Sequence, residues 1–277
     1  MYTNEELQKI ATFVRRDIVE QVYNAKSGHP GGALSCTDIL TALYFNVMNL
    51  DPKNPTWEDR DRFILSKGHS SPALYSVLAR RGFYDVGSIK SFRKTGSVFQ
   101  GHPALGKVPG VDMTNGSLGQ GFSIANGMAL AAKLDNKKYN VYVMLGDGEL
   151  EEGQNWEAAM TAAHYKLNNV IAIVDNNGLQ IDGKITEVKS PEPIADKFRA
   201  FGFNVYEIDG HNFDEIMEAF NRAKNSIDTP NVIIAKTTKG KGISFMEDNI
   251  GWHGKAPNDE EYNKALSELG GGNYGVN

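Results

Sequence analysis

The stretch NVYVMLGDGELEEG, residues 140–153, decides the fold. It begins with an apolar run that contains two valines, as is typical of a strand buried on both faces. Gly146 and Gly148 then flank Asp147, and residues 151–165 have a helical pattern. A second apolar run, NVIAIV at 169–174, follows that helix. A strand, a helix and another strand in this order predict two neighbouring strands of a parallel sheet.

The same alternation continues towards the C-terminal end. Residues 203–208 and 232–237 are strand-like, and residues 214–223 between them are helical. Because strands that are apolar on both faces need cover on both sides, we predict an α/β fold with a doubly wound, mainly parallel sheet flanked by helices. Ligands in such sheets bind beyond the carboxyl ends of the strands, so the residues after each apolar run are candidates for a site.

Before the sheet, apolar residues at spacings of three and four predict further helices. We expect them at 4–25, 37–48 and 71–81. Thr37 is the expected N-cap of the second helix, and Gly82 is expected to end the third. We also expect a single domain over residues 1–269 and a flexible, glycine-rich tail at 270–277.

The composition excludes several classes of protein. The chain has 277 residues, a formal net charge of −5 and scattered basic residues, which argues against a nucleic-acid-binding surface. It contains one cysteine, Cys36, so no internal disulfide can form. The N-terminus lacks the apolar segment of a signal peptide, and no apolar run approaches the ~20 residues that span a bilayer. We therefore expect a soluble, cytoplasmic protein that binds neither nucleic acid nor membrane.

The glycine-flanked Asp147 is the first candidate for chemistry. Glycine lets a ligand approach the backbone closely, and the start of a helix offers free N–H groups to a phosphate. Aspartate supplies the hard oxygen ligands that Mg²⁺ or Ca²⁺ prefers. A tight turn in which Asp147 caps the helix explains the same residues, and the triplet taken alone favours that structural interpretation.

A second polar segment, DNNGLQIDG at 175–183, follows the next strand. It is also a turn sequence, but the side-chain oxygen of Asn177 and a nearby backbone carbonyl can bind a metal. One strand–helix–strand unit separates Asn177 from Asp147, so the two side chains are expected at the same edge of the sheet. Magnesium takes about six oxygens and usually shares them with a substrate's phosphates.

The Gly-Asp-Gly triplet and the later Asn-Asn pair together resemble the thiamine-diphosphate-binding motif of thiamine enzymes. The resemblance implies that Asp147, Asn177 and the backbone carbonyl of Leu179 hold a metal that bridges the diphosphate of this cofactor. It also implies that Gly148 lies against the diphosphate. The metal is expected to be Mg²⁺, with Ca²⁺ or Mn²⁺ as alternatives.

Further segments narrow the resemblance to the transketolases. They occur in the order and spacing typical of that family, and the likeness extends from about residue 7 to residue 256. The segments are SGHPGG at 27–32, SKGH at 66–69, GHP at 101–103, GSLGQG at 116–121 and WHG at 252–254.

Several histidines lie beside glycine or proline in these segments, and histidine suits proton transfer near neutral pH. By resemblance, His69 and His253 contact the cofactor. His29, His102 and His253 are the expected catalytic residues, which line the substrate channel and donate hydrogen bonds to the sugar. Each of them, taken singly, is also compatible with a structural histidine.

Other cofactor contacts follow from the resemblance alone. Gly116, Ser117 and Leu118 match a loop that meets the cofactor, although a glycine-rich helix start is the structural alternative. Lys239 matches a position that approaches the cofactor's phosphate, or it is a solvated lysine. Glu152 matches a glutamate that reaches across a subunit interface, or it is a favourable charge at a helix start.

The resemblance also implies a function. Transketolases normally carry two further domains, the first of which binds the aminopyrimidine of the cofactor and supplies an activating glutamate. This chain stops at Asn277, so it resembles the N-terminal subunit of a two-subunit transketolase. We expect an α2β2 heterotetramer with a separate C-terminal subunit. The complex would transfer a two-carbon ketol unit from a ketose phosphate to an aldose phosphate, as in the pentose phosphate pathway.

Several alternatives remain open. One is a two-subunit transketolase for an unusual sugar, and another is a different thiamine enzyme. The nearest of these are 1-deoxyxylulose-5-phosphate synthase and the α subunit of a 2-oxo acid dehydrogenase. A non-catalytic domain of the same fold is the last alternative. His164 and His211 match no site motif and are expected to be structural.

Overall fold

The computed structural model describes residues 1–270, and its centre is a parallel β-sheet. In this range the strands are β1 (Arg62–Leu65), β2 (Val141–Gly146), β3 (Val170–Asn176), β4 (Asn204–Asp209) and β5 (Asn231–Lys236). Their order in the sheet is β1-β2-β3-β5-β4, and every pairing is parallel. The predicted α/β fold with a doubly wound, mainly parallel sheet is confirmed.

Helices cover the sheet. They are α1 (Asn4–Ala25), α2 (Pro30–Ser35), α3 (Thr37–Ala42), α4 (Ser71–Arg81), α5 (Gln120–Leu134), α6 (Gly153–His164), α7 (Ile185–Val188), α8 (Ile194–Ala200), α9 (Phe213–Lys224) and α10 (Asp259–Glu268). A π-helical turn, Leu43–Val47, extends α3. Short 3₁₀ turns occur at Gly68–Ser70, Val86–Ser91, Gly148–Glu151 and Ile250–Trp252.

The two faces of the sheet are buried under different sets of helices. Successive residues of a strand point to opposite faces. On β2, Tyr142 and Met144 pack into a cluster with side chains of α1, α3, α4 and α9. Val143 and Leu145 pack into a second cluster with α5, α6 and α8. Both faces are therefore covered, which explains why the strand sequences are apolar throughout.

The register of the sheet decides where the site forms. Gly146 at the end of β2 lies opposite Asp175 near the end of β3. The segments that follow, with Asp147 and Asn177, therefore leave the sheet side by side. On the other side of β3, Asn176 lies opposite Lys236 of β5. The carboxyl edge thus brings three chain segments together, as the predicted parallel order requires.

The predicted ends of α1 and α4 are confirmed. α1 begins after Thr3, whose hydroxyl accepts from the N–H of Glu6 while the Glu6 side chain accepts from the N–H of Thr3. This reciprocal capping satisfies two N–H groups that a helix start leaves free. α4 ends at Gly82, which has φ +99°, a conformation that glycine adopts without strain.

The helix predicted at 37–48 begins at Thr37 as expected and extends through the π-helical turn to Val47, but its predicted N-cap is wrong. Helical structure already begins at Pro30, and a turn at Cys36 separates α2 from α3. Thr37 is not an N-cap, because its hydroxyl donates to the carbonyl of Ala33 at 3.0 Å. Pro30 occupies the first position of α2, where its missing N–H has no cost, and this was the signal for the earlier start.

Several elements escaped the sequence analysis. β1 has only four residues and begins with the polar Arg62, so it lacks the length of a recognisable strand. α8 and α10 were not predicted, and α5 was seen only as a glycine-rich helix start. α5 carries glycines at 121 and 127, which lower the helix propensity of its sequence.

The predicted tail at 270–277 lies outside the described residues except for Gly270. The single domain at 1–269 stays a prediction. Within residues 1–270, no helix combines the length and the apolar character that crossing a membrane requires.

The two glycines of α5 give a test of how closely this helix approaches β1. A Cβ atom at Gly121 would lie 2.5 Å from the Oγ of Ser66 and 2.9 Å from its Cα, whereas one at Gly127 meets nothing within 4 Å. We expect Gly121→Ala to lower the free energy of unfolding by about 1–3 kcal/mol through overpacking. Gly127→Ala should raise it by about 0.5–1 kcal/mol. Urea unfolding measures both, and equal effects would contradict this packing.

Candidate active site

A cavity of about 280 Å³ opens at the carboxyl edge of the sheet. It is bordered by the loops after β1, β2, β3 and β5 and by segments near His29 and His253. The predicted site residues in its lining are His29, His69, His102, Gly116, Leu118, Asp147, Gly148, Asn177, Leu179, Lys239 and His253. Ser117 is exposed and lies outside this lining. The roles of these residues stay predictions.

Asp147 is buried at the start of the 3₁₀ turn after β2. Its carboxylate accepts hydrogen bonds from the N–H of Gly148 at 2.8 Å and the N–H of Gly178 at 2.5 Å. Burial raises the pKa of the Asp147 carboxyl to about 6, and the nearby charge of Asp175 acts in the same direction. Each carboxylate oxygen has a further lone pair, so the group can still bind a cation.

Two more oxygens border the cavity beside this carboxylate. The Oδ1 of Asn177 accepts from the N–H of Leu179 at 3.1 Å, and its Nδ2 donates to Asp175 at 3.4 Å. The backbone carbonyl of Leu179 accepts from the Nζ of Lys239 at 3.0 Å. A carboxylate, an amide oxygen and a backbone carbonyl therefore lie at one cavity.

This mixed set of oxygens fits a hard divalent metal. Mg²⁺ is usually held by one or two carboxylates together with phosphate oxygens, rather than by a full protein cage. Among residues 1–270, no group of three or more His, Cys, Asp or Glu side chains could hold a metal. The ammonium of Lys239 donates to the carbonyl of Leu179, which indicates that this oxygen can bind a positively charged group. A metal here would thus depend on the mixed set and on a bound phosphate.

Lys239 connects the oxygen set to the histidines. Its buried Nζ also lies 2.9 Å from the Nδ1 of His253. Burial, together with the charge of Lys67, lowers the pKa of Lys239 to about 8. Since an ammonium can only donate, it fixes His253 as the neutral tautomer with its proton on Nε2. His253 is thereby prepared to donate a hydrogen bond from Nε2.

Three of the predicted histidines form a cluster. The ring centroids of His29 and His69 are 5.3 Å apart, those of His69 and His253 are 5.3 Å apart, and those of His29 and His253 are 5.5 Å apart. His102 lies across from them at Gly116, where a Cβ atom would be 3.8 Å from its ring. The loops that carry the histidines are distant in sequence, so only the fold brings them together.

Burial keeps this cluster neutral. It lowers the pKa of His29 to about 4 and that of His253 to about 3, and nearby positive charges add to the effect. The pKa of His69 is lowered well below its ordinary value for the same reason. Neutral imidazoles can both donate and accept hydrogen bonds, which suits the binding of a polyhydroxylated substrate.

These shifts predict a loss of stability in mild acid. The unfolded chain binds protons at the ordinary histidine pKa of 6.5, whereas folded His253 binds one only near pH 3. Stability should therefore be lost as the pH falls below 6.5. We expect His253→Gln to reduce the fall in Tm between pH 6.5 and 4.5, because glutamine does not titrate.

The matched control for this prediction is His164→Gln. His164 is exposed at the end of α6, with its ring against Tyr165. Thermal unfolding of this variant should follow the pH profile of the unsubstituted chain. An unchanged profile for His253→Gln would contradict the buried, neutral state of His253.

Arg93 contacts the predicted site residue His29, and the sequence analysis missed it. Its guanidinium donates to the Oγ of Ser27 at 2.6 Å and lies 3.4 Å from the Nδ1 of His29. A Cβ atom at Gly101 would lie 2.6 Å from this guanidinium, so the glycine makes room for it. Among the described residues, the Nε of Arg93 has no hydrogen-bond partner. Arg93 has a positive φ of 57°, which its sequence does not predict. It also lies in a polar loop that matches no motif.

A buried ion pair beneath the cavity was also missed. Lys67 and Asp175 form it, and the two side chains are 2% and 0% exposed. Burial opposes both charges, but their mutual attraction, together with hydrogen bonds and other nearby charges, outweighs it, so the pKa of Lys67 is raised and that of Asp175 is lowered. Lys67 belongs to the SKGH segment, and Asp175 directly precedes the Asn-Asn pair. The positions of these two residues, in or directly before the motifs, were the sequence signal that could have placed them near the site.

His211 does not line the cavity, but it lies close to the site. Its Nδ1 is 2.7 Å from Asp38, which also accepts from Arg15 at 2.6 Å. Its Nε2 accepts from the backbone N–H of Thr238 at 2.9 Å. His211 therefore supports the loop that carries Lys239.

Comparisons with known proteins agree with the fold and the motifs. Residues 6–274 match the family described as transketolase, thiamine diphosphate binding domain. The chain is 44% identical to the 6-deoxy-6-sulfo-D-fructose transketolase subunit SqwG of Clostridium sp. (strain MSTE9), over 95% of the chain and 96% of that protein. It is also 44% identical to one subunit of the apulose-4-phosphate transketolase of Phocaeicola vulgatus, over 92% of the chain and 90% of that protein.

Solved structures give the same picture. The crystal structure of transketolase from Campylobacter jejuni superimposes with a TM-score of 0.91 at 38% identity. The alignment covers 97% of this chain but 43% of that one. This chain therefore spans less than half the length of that transketolase.

Proposed function

This chain belongs to the family of transketolase thiamine-diphosphate-binding domains, and we propose that it is the N-terminal subunit of a two-subunit transketolase. The observation that carries the proposal is a single cavity lined both by Asp147, Asn177 and Leu179 and by the cluster of neutral histidines. One set suits a metal and a diphosphate, and the other suits a sugar.

The first set would anchor the cofactor. Asp147, the Oδ1 of Asn177 and the carbonyl of Leu179 would hold Mg²⁺, while Gly148 leaves room for the diphosphate. Lys239, whose ammonium lies at the carbonyl of Leu179, would offer its positive charge to the phosphate oxygens. Gly116 and Leu118 would border the rest of the cofactor. The bound thiamine diphosphate would supply the carbanion chemistry of ketol transfer.

The second set would bind the sugar. His253 donates from Nε2 because Lys239 holds its Nδ1, so it can stabilise a carbonyl oxygen or a hydroxyl group. His29 and His102 would bind further hydroxyl groups, and His69 would pack against the cofactor. Arg93, beside His29, would add a positive charge at the same wall of the cavity.

A partner subunit is part of this proposal. The relatives in Clostridium and Phocaeicola are themselves named as transketolase subunits, and the match covers 90% or more of each. Leu118 and Ile181 line the cavity but are 36% and 66% exposed, so its mouth carries apolar surface that a second subunit can cover. The partner would supply the glutamate that activates the cofactor, in an α2β2 assembly. A cytoplasmic location also belongs to the proposal.

The sugar has two candidate classes. Xylulose 5-phosphate and ribose 5-phosphate are the donor and acceptor of the pentose phosphate pathway. An unusual ketose is the second candidate, because the names of the two related subunits specify 6-deoxy-6-sulfo-D-fructose and apulose 4-phosphate.

The experiment is a reconstitution with omissions. The chain, its candidate partner, thiamine diphosphate and Mg²⁺ are mixed, and each is left out in turn. Ketol transfer to an aldose phosphate is then measured from xylulose 5-phosphate, 6-deoxy-6-sulfo-D-fructose and apulose 4-phosphate. Activity only in the complete mixture would support the proposal, and the preferred donor would identify the sugar class.

Two results would contradict it. Full activity of the chain without a partner would exclude the two-subunit arrangement. Absence of metal-dependent cofactor binding by the pair would favour a non-catalytic domain of this fold.

A further inference from the structure

Asp175 lies beneath the candidate active site and accepts hydrogen bonds from four different side chains. Its Oδ2 accepts from the Oγ of Ser35 at 2.6 Å, from the Nδ2 of Asn177 at 3.4 Å and from the Nζ of Lys67. Its Oδ1 accepts from the Oγ1 of Thr237. The carboxylate is completely buried.

These donors come from four segments that lie at or next to the cavity. Ser35 lies in α2, which follows His29, and Lys67 precedes His69 by two positions. Thr237 precedes Lys239 by two positions, and Asn177 is a predicted metal ligand. One carboxylate therefore connects four of the segments that carry predicted site residues.

An ionised carboxylate suits this arrangement. An ionised aspartate accepts at about four lone-pair positions and donates at none, so all four donors can point at it. An asparagine has one acceptor oxygen, so its NH₂ group would face either the hydroxyl of Thr237 or the three donors at the Oδ2 position, and Lys67 would lose the charge that balances it. The positive charge of Lys67 offsets the cost of burying the carboxylate.

The contact with Asn177 has a direct consequence for the cavity. An amide group has one oxygen and one NH₂, and the partner of the NH₂ decides where the oxygen points. Since Asp175 takes the Nδ2, the Oδ1 is left at the N–H of Leu179, beside Asp147 and the carbonyl of Leu179. Reversing the amide would place two donors where a metal needs an oxygen.

We propose that Asp175, held by Lys67, is a positioning residue that orients the amide of Asn177 and aligns the metal-binding loop. This inference rests on the proposed function, because it assigns Asn177 to the metal. A residue that hydrogen-bonds to a metal ligand typically contributes about 10–100-fold to metal affinity.

The test compares Asp175→Asn with Asp112→Asn. Asp112 is also a buried carboxylate in an ion pair, with Arg60, and it accepts from the N–H of Phe63 at 2.8 Å. Asp112 lies beside the amino end of β1. The candidate site is at the opposite, carboxyl edge of the sheet. Both variants should have a lower Tm without ligands, since Asp175→Asn leaves the buried Lys67 and Asp112→Asn leaves the partly buried Arg60 without its partner.

The readout is the binding of thiamine diphosphate in the presence of Mg²⁺, measured by calorimetry on the chain with its partner subunit. We expect Asp175→Asn to raise the Kd by at least about tenfold, and Asp112→Asn to leave it nearly unchanged. A purely structural role for Asp175 would lower the Tm of both variants alike and leave both Kd values unchanged.

The double variant Lys67→Met/Asp175→Leu is measured in the same series. Replacing both members of the pair by apolar groups leaves no buried charge unpaired, so this variant should keep more of its unliganded Tm than Asp175→Asn, although Ser35 and Thr237 lose an acceptor. It should nevertheless lose cofactor affinity by at least about tenfold. Either variant of Asp175 binding as tightly as Asp112→Asn would overturn the inference. If the unsubstituted pair does not bind the cofactor, the proposed function fails and this inference fails with it.

Discussion

Replacing Asp147 by alanine should weaken the metal-dependent binding of thiamine diphosphate by more than about 100-fold. Asp147 is the one predicted metal ligand with a negative charge, and it is 2% exposed. Burial raises its pKa to about 6, so the folded protein holds the charge at a cost that a bound cation would remove. The loss would therefore include the main electrostatic attraction for the metal.

The substitution has a close control in Asp182→Ala. Asp182 lies in the same loop as Asn177 and is exposed. Calorimetric titration of the chain and its partner with thiamine diphosphate and Mg²⁺ should give an unchanged Kd for this variant. The Asp147→Ala chain should remain folded, because the same carboxylate is destabilised by burial. Tight cofactor binding by Asp147→Ala would remove the metal site from this loop.

Replacing His253 by alanine should lower kcat/KM for ketol transfer by about 100-fold or more. Lys239 fixes the tautomer of His253, and the Nε2–H can then donate to an oxygen of the substrate. His253→Gln keeps a donor of similar reach, so part of the activity should return. His164→Ala, at an exposed histidine, is the control and should retain full activity. Cofactor affinity should change far less than kcat/KM.

A different pattern would assign His253 another task. If His253→Ala weakened thiamine diphosphate binding as much as it slowed transfer, His253 would be chiefly a cofactor contact. Steady-state kinetics at saturating cofactor, together with the calorimetric Kd, distinguishes these outcomes.

The sheet and the oxygen ligands could be predicted because their signals are local. The apolar runs before Gly146 and Asp175 identify β2 and β3, and parallel pairing then places the two loops side by side. Gly82 likewise acts on its own helix. Such features depend on residues close together in the sequence, and the structure confirms the sheet and the end of α4.

The hydrogen bonds that hold the candidate site residues in place could not be predicted, because they join residues far apart in the sequence. Lys239 reaches Leu179, which lies 60 positions away, and Asp175 reaches Lys67, which lies 108 positions away. Arg93 carries no motif and acquires its place from the fold. Thr37 was misread for a related reason, since its hydroxyl bonds to a helical turn that the sequence analysis had not recognised.

The most direct test of the central claim is the position of the metal. Crystals of the chain with its partner, grown with thiamine diphosphate and Mn²⁺ in place of Mg²⁺, would be measured for anomalous scattering. We expect one peak within about 2.0–2.6 Å of the Asp147 carboxylate, the Oδ1 of Asn177 and the carbonyl of Leu179. Cofactor bound with its metal elsewhere, or with no metal at these three oxygens, would contradict the account.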